Sequence, residues 1–172
     1  MSTTITLIHP KGGVGRTLSC YMLGAELALR GHEVALIDRD QGQHLSRLWS
    51  VYPLSIPGLA LGDNPAADIR LIDTAPEVDA SRAVTYLREA DWAIVLVKPE
   101  AGSILALPIL MTWLDQVPSV RLMGFVSTMY HARRAEARQW LQELHRLAAE
   151  RDVPVFPCIA NLASLASYRL DG

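Results

Sequence analysis

Six short apolar runs recur along the chain, at residues 5–8, 34–37, 69–72, 93–97, 122–126 and 153–156. Most are continuous rather than alternating, which is the pattern of strands buried on both faces, as in a parallel sheet. Between the runs the period becomes helical. Leu18, Tyr21, Met22, Ala25 and Leu29 share one helical face, and Gly31 stands where a C-terminal cap belongs. Ala137, Trp140, Leu141, Leu144 and Ala148 repeat the pattern later. Strand alternating with helix predicts an α/β fold, a three-layer α/β/α sandwich with a mainly parallel sheet and right-handed crossovers. Residues 50–67, with Pro53, Pro57, Gly58, Gly62 and Pro65, read as a long connection and not a domain boundary. Pro108 predicts a helix start, or a kink, inside the apolar segment 104–114.

Composition narrows the class. Half of the 172 residues are hydrophobic and a fifth are charged, so a single domain spanning 1–172 with its own core is expected and disorder is not. Cys20 and Cys158 form no CxxC or Cys/His cluster, which argues against a disulfide framework or a structural zinc site. His9, His44 and His131 share no metal-ligand spacing, and the four tryptophans read as packing residues. No apolar run approaches membrane-spanning length and no basic segment leads into a long apolar one, so a cytoplasmic address is expected. A net charge of −2 offers no global basic field for nucleic acid. The charge is uneven, however. Residues 1–120 carry nine basic and thirteen acidic side chains, whereas residues 121–172 carry seven and five.

The chemistry-bearing stretch follows the first run: Pro10-Lys11-Gly12-Gly13-Val14-Gly15-Arg16-Thr17. A strand, a glycine-rich loop and a helix in that order cradle phosphates. Glycines let backbone N–H groups converge, and the helix N-terminus adds the positive end of its dipole. The hydroxyl of Thr17, at the helix start, can ligate Mg²⁺ on a bound nucleotide. The plainer alternative is a glycine-rich turn that binds nothing. Asp38 and Asp40 close the second run and Asp73 closes the third. Alone, such an aspartate is more often a turn residue or helix cap. Beside a phosphate loop, Asp38 and Asp73 can hold Mg²⁺ and Asp40 can orient an attacking water. Lys98 reads as a solvated loop lysine.

Lys11-Gly12-Gly13-Val14-Gly15-Arg16-Thr17 resembles the loop of the deviant Walker A ATPases of the ParA/MinD group, P-loop NTPases whose motif is KGGxxK[ST]. Lys11 occupies the position of the group's signature lysine. Ala35-Leu36-Ile37-Asp38-Arg39-Asp40 resembles its DxD strand, and Leu71-Ile72-Asp73-Thr74-Ala75-Pro76 its Walker B strand and DTxP turn. Gly124-Phe125-Val126-Ser127-Thr128-Met129-Tyr130 with Arg133 is similar to the ParA strand ending in TMY. Val155-Phe156, Ile159, Leu165-Ala166 and Gly172 echo the closing segment. The chain looks nearest to the small plasmid-type ParA proteins.

The resemblance implies a set of roles. Residues Lys11, Gly12, Gly13, Val14, Gly15, Arg16 and Thr17 would bind ATP or ADP. Thr17, Asp38 and Asp73 would serve Mg²⁺, and Lys11 and Asp40 would act in hydrolysis. It also implies an ATP-dependent homodimer in which Lys11 reaches the partner's phosphates, so that ATP glues two subunits and hydrolysis releases them. A ParB-like adaptor, a role in partitioning plasmid, chromosome or other cargo, and association with the nucleoid follow. Non-specific DNA would be met by Arg133, Arg134 and Arg138. A solvated helix face is an equally good reading of those arginines, because Glu136 and Glu143 dilute them.

Departures from the group qualify these expectations. Arg16 replaces the second lysine, and arginine keeps the charge without the compact point-donor geometry. Nucleotide binding is therefore expected to survive better than hydrolysis, leaving two readings: a weak ATPase, or a nucleotide-binding regulator with little or no turnover. Gln41-Gly42-Gln43 replaces the group's Pro-Gln-Gly, and Ala160-Asn161-Leu162 its Pro-Arg-Asn. No amphipathic helix is expected after Gly172, so a MinD-like membrane attachment is not expected. A third reading, a dethiobiotin-synthetase-like ligase, is disfavoured by Lys11.

Overall fold

The computed structural model describes residues 2–76 and 79–159. Seven strands form one parallel sheet: β1 (Thr3–Ile8), β2 (Val34–Asp38), β3 (Leu59–Leu61), β4 (Ile69–Asp73), β5 (Trp92–Val97), β6 (Arg121–Ser127) and β7 (Val155–Phe156). Their order across the sheet is β3-β2-β4-β1-β5-β6-β7. The helices are α1 (Arg16–Leu29), α2 (His44–Val51), α3 (Ala80–Arg88), α4 (Ala101–Ile104), α5 (Leu107–Asp115) and α6 (Ala135–Glu150). The predicted α/β sandwich is therefore observed.

The chain leaves β1 toward β2 and β3, then returns through β4 and proceeds past β1 to β5, β6 and β7. With one crossover hand throughout, that reversal puts the helices before it and the helices after it on opposite faces. Two separate cores result. Cys20, Tyr21, Ala25 and Ala28 of α1 and Leu45 of α2 cover one face. Residues of α3, α4, α5 and α6, centred on Leu87, Leu110, Trp113 and Leu144, cover the other. The strands lie between, which is why their apolar runs are continuous. A switch in winding direction beside β1 opens a crevice at the carboxyl ends of the strands.

Several expectations change in detail. Residues 50–67 hold a strand, β3, in addition to loop. It is only three residues long, and its Ala60 is exposed, so no long apolar run announces it. The helical face assigned to α1 is partly wrong. Tyr21 and Ala25 are buried, but Leu18, Met22 and Leu29 are 47%, 55% and 69% exposed. The sheet is met instead by the small residues Cys20, Gly24, Ala25 and Ala28. A Cβ on Gly24 would lie 2.5 Å from Leu36 Cδ2, so close helix–sheet approach selected small residues over large ones. Gly31 does cap α1: it has φ 91°, Gly31 N donates to Ala28 O and His32 N to Leu27 O. Pro108 sits in the first turn of α5, where its missing N–H costs nothing. Leu165, Ala166, Gly172 and the Ala160-Asn161-Leu162 substitution lie outside the described residues.

Candidate functional site

The loop after β1 enters α1 through Gly13 (φ 74°) and Gly15 (φ 81°), left-handed conformations that glycine adopts without strain. Gly15 is the N-cap of α1 and supplies no side chain to its first-turn N–H groups. Those donors stay available to an anion at the positive end of the helix. The loop borders a cleft of about 560 Å³ whose other walls include Asp40, His44, Thr74, Pro76 and Met129. Two threonines hold β1 and the loop that follows it. Thr74 Oγ1 donates to Leu7 O (2.8 Å) and Thr128 Oγ1 to Val14 O (2.7 Å). The TMY segment thus braces the phosphate loop itself, and the DTxP turn braces the strand that leads into it.

The structure brings the three aspartates to one end of the sheet. Asp38 and Asp73 are paired residues of adjacent strands. Their environments differ. Asp38 Oδ1 accepts from Asp40 N (3.0 Å), and Oδ2 accepts from the N and Oγ of Ser46 (both 2.8 Å). Asp38 thus ties down the first turn of α2 and shapes the turn that carries Asp40. Asp73 is fully buried, and neither carboxylate oxygen has a hydrogen-bond partner among the described residues. Burial pushes its pKa up to about 6, although the nearby Thr17 hydroxyl and Arg16 charge pull the other way. A buried carboxylate left open in this way suits a hard cation.

Asp40 is held by Gly42 N (2.9 Å to Oδ1) and by the His44 imidazole on Oδ2. Burial alone would raise its pKa, but these bonds outweigh it and hold the carboxyl below its usual value. His44 was not singled out from the sequence as Asp40's partner. The usable signal was the four-residue spacing together with Gly42, where a Cβ would stand 2.5 Å from the His44 ring.

Arg16 is only 6% exposed, and its guanidinium Nη1 donates to the carbonyl of His9. The side chain therefore runs back under the loop to the end of β1. His9 is fully buried. Its Nδ1 accepts from Lys11 N (2.9 Å), so the neutral ring carries its proton on Nε2, which donates to Ser103 O (3.0 Å). Burial pushes the His9 pKa down to about 4, which keeps that tautomer neutral. Lys11 Nζ contacts Glu100 Oε1 at 2.5 Å, within the same chain. Neither His9 nor Glu100 was singled out from the sequence as part of the site.

Arg133, Arg134 and Arg138 are exposed around the N-terminus of α6. That terminus follows β6 and so lies at the same end of the sheet as the phosphate loop. Arg138 Nη1 donates to Ala132 O (2.7 Å), and Glu136 lies in the same first turn. Among the described residues no helix is long and apolar enough to cross a membrane.

Known proteins share this architecture. The chain is 27% identical to the chromosome-partitioning ATPase Soj of Thermus thermophilus, across 95% of this chain and 84% of that protein. Cobyrinic acid a,c-diamide synthase from Mycobacterium smegmatis, solved with ADP and magnesium, superimposes with a TM-score of 0.78 at 19% identity, covering 94% of this chain and 88% of that one. A plasmid partition protein from Borrelia burgdorferi gives a TM-score of 0.71 at 16% identity, covering 98% of this chain and 95% of that one. Residues 5–171 match the CobQ/CobB/MinD/ParA nucleotide binding domain. With its phosphate loop at the carboxyl end of β1 and its acidic strand ends beside it, this chain belongs to that ParA/MinD-type family.

Proposed function

We propose that this protein binds Mg²⁺-ATP and dimerises around it, hydrolysing ATP slowly in the service of partitioning a plasmid, chromosome or other cargo. The observation that carries the reading is the open Asp73 carboxylate, buried beside Thr17 under a glycine-rich loop with uncapped N–H groups. Gly12, Gly13, Val14 and Gly15 would wrap the phosphates with backbone donors. Thr17 and Asp73 fit Mg²⁺ as hard oxygen ligands, and bound there the ion would neutralise charge on the phosphate oxygens. Asp38 serves that site less directly, because its oxygens already hold Asp40 and Ser46. Asp40, ionised and fixed by His44, would orient water toward the terminal phosphate. Lys11 would complete the site of a second subunit, adding a positive charge where negative charge grows during transfer. A ParB-like adaptor and non-specific DNA, met by Arg133, Arg134 and Arg138, are the partners this reading calls for.

Arg16 supports a second reading. Its guanidinium is tied to the His9 carbonyl, which favours a nucleotide-responsive regulator with little turnover. One set of measurements separates them: nucleotide affinity, oligomeric state and ATP turnover, each with and without Mg²⁺ and DNA. Mg²⁺-dependent binding with dimerisation and turnover supports the ATPase. Binding and dimerisation without turnover support the regulator, and no Mg²⁺-dependent nucleotide binding sinks both.

A further inference from the structure

The chain has only two lysines, Lys11 and Lys98, and both rest on one carboxylate. Lys11 Nζ meets Glu100 Oε1 at 2.5 Å, and Lys98 Nζ meets Oε2 at 2.6 Å. The sheet brings this about. β1 and β5 are parallel neighbours, Lys11 stands three residues past the end of one, and Glu100 three residues past the end of the other. The contact is also shaped sterically. Gly102 lies under the ammonium, and a Cβ there would come within 2.7 Å of Lys11 Nζ. His9 sets both sides in register, since its ring bonds Lys11 N and Ser103 O at once. Both lysines, Lys11 foremost, hold the Glu100 carboxyl below its usual pKa.

We infer that Glu100 is the positioning residue for Lys11, parking its ammonium on its own chain over Gly102 until a second copy's nucleotide phosphates compete for it. This rests on the reading above that Lys11 serves a partner's phosphates. Lys11 and Glu100 are 41% and 32% exposed at the side chain, so water screens the pair and it holds weakly. Weakness is what a releasable clasp requires: a polyphosphate outcompetes one carboxylate, whereas a buried pair would lock. A parked lysine lowers apparent affinity in proportion to the fraction left free. Removing a clasp of this strength frees Lys11 about twofold to fivefold. A symmetric dimer must open two clasps, so its dissociation constant should fall by the square, roughly fourfold to twenty-five-fold.

Two variants test the clasp by different means. Glu100→Gln removes the charge. Gly102→Ala keeps every charge and evicts the ammonium sterically, at a helical position that tolerates alanine. The first readout needs no nucleotide: limiting acylation of the apo protein with an N-hydroxysuccinimide acetate, scored by peptide mass spectrometry at Lys11, with Lys98 as internal reference in Gly102→Ala. Both variants should raise Lys11 labelling severalfold. The second readout is dimerisation with AMPPNP and Mg²⁺ by analytical ultracentrifugation. Both variants should dimerise more tightly than wild type, and the gain should vanish in a Lys11→Ala background. Unchanged Lys11 labelling in both variants overturns the clasp. So does a dimer weakened equally by Glu100→Gln with and without Lys11, which would mark Glu100 as merely structural. If wild type never dimerises with AMPPNP, the functional reading and the role across the dimer fail together, and the apo labelling still reports whether Lys11 is parked.

Discussion

Replacing Asp73 with asparagine should make the nucleotide-free protein more stable at pH 7. The carboxylate is fully buried with neither oxygen partnered, and burial raises its pKa from 3.8 to about 6. The unfolded chain keeps the ordinary value, so between the two values the native state binds more protons than the unfolded state. Stability therefore falls as pH rises through that window, and the penalty is complete above pH 6. About two pKa units correspond to roughly 3 kcal/mol. Asparagine has the same shape without the charge, but its buried amide costs about 1–2 kcal/mol if unpaired. The net gain at pH 7 is then about 1–2 kcal/mol, or roughly 2–8 °C in melting temperature for a chain of this length. At pH 4 the folded carboxyl is neutral and the unfolded one about half so, which removes most of the penalty, so the gain should vanish or reverse there. His9 acts oppositely: burial lowers its pKa from 6.5 to about 4, so stability is lost as pH falls through that window. Both proteins carry His9, so its contribution cancels in their difference. Urea unfolding of the two proteins from pH 4 to 8, without nucleotide or divalent cation, gives the difference curve. A destabilised Asp73→Asn protein at pH 7, or a difference that ignores pH, would refute the open carboxylate.

Arg16→Lys should raise ATP turnover about a hundredfold or more, since a misplaced donor costs on the order of 3 kcal/mol in the transition state. Its ATP dissociation constant should change less than about tenfold, because the charge is kept; unchanged or lower turnover would mean the loop has adapted to arginine. An Arg134→Ala, Arg138→Ala double variant should weaken binding to all DNA sequences alike and flatten its salt dependence, as loss of phosphate contacts requires. Sequence-selective loss in fluorescence anisotropy would contradict that. Gly124→Ala should destabilise the fold by about 2–4 kcal/mol in thermal unfolding, because φ is 152° and a Cβ would stand 2.6 Å from Pro154 O, where β6 pairs with β7.

The sequence alone determined the class of the fold and marked out the candidate site. Continuous apolar runs are what strands buried on both faces need, so six of the seven strands were legible, and only the three-residue β3 was not. The glycines of the phosphate loop were legible because their backbone requirement is local. Tertiary structure decided everything that depends on which strand ends become neighbours. Periodicity favoured the large apolar residues of α1, yet close packing on Leu36 buried the small ones and left Leu18, Met22 and Leu29 outside. Asp38 and Asp73 read alike as acidic strand ends, but in the sheet one is saturated by Ser46 and Asp40 while the other is buried and open. Glu100 meets Lys11 and Ser103 meets His9 only because β1 and β5 lie side by side. Some ninety residues of chain separate these partners, and no local pattern encodes a contact that sheet order creates.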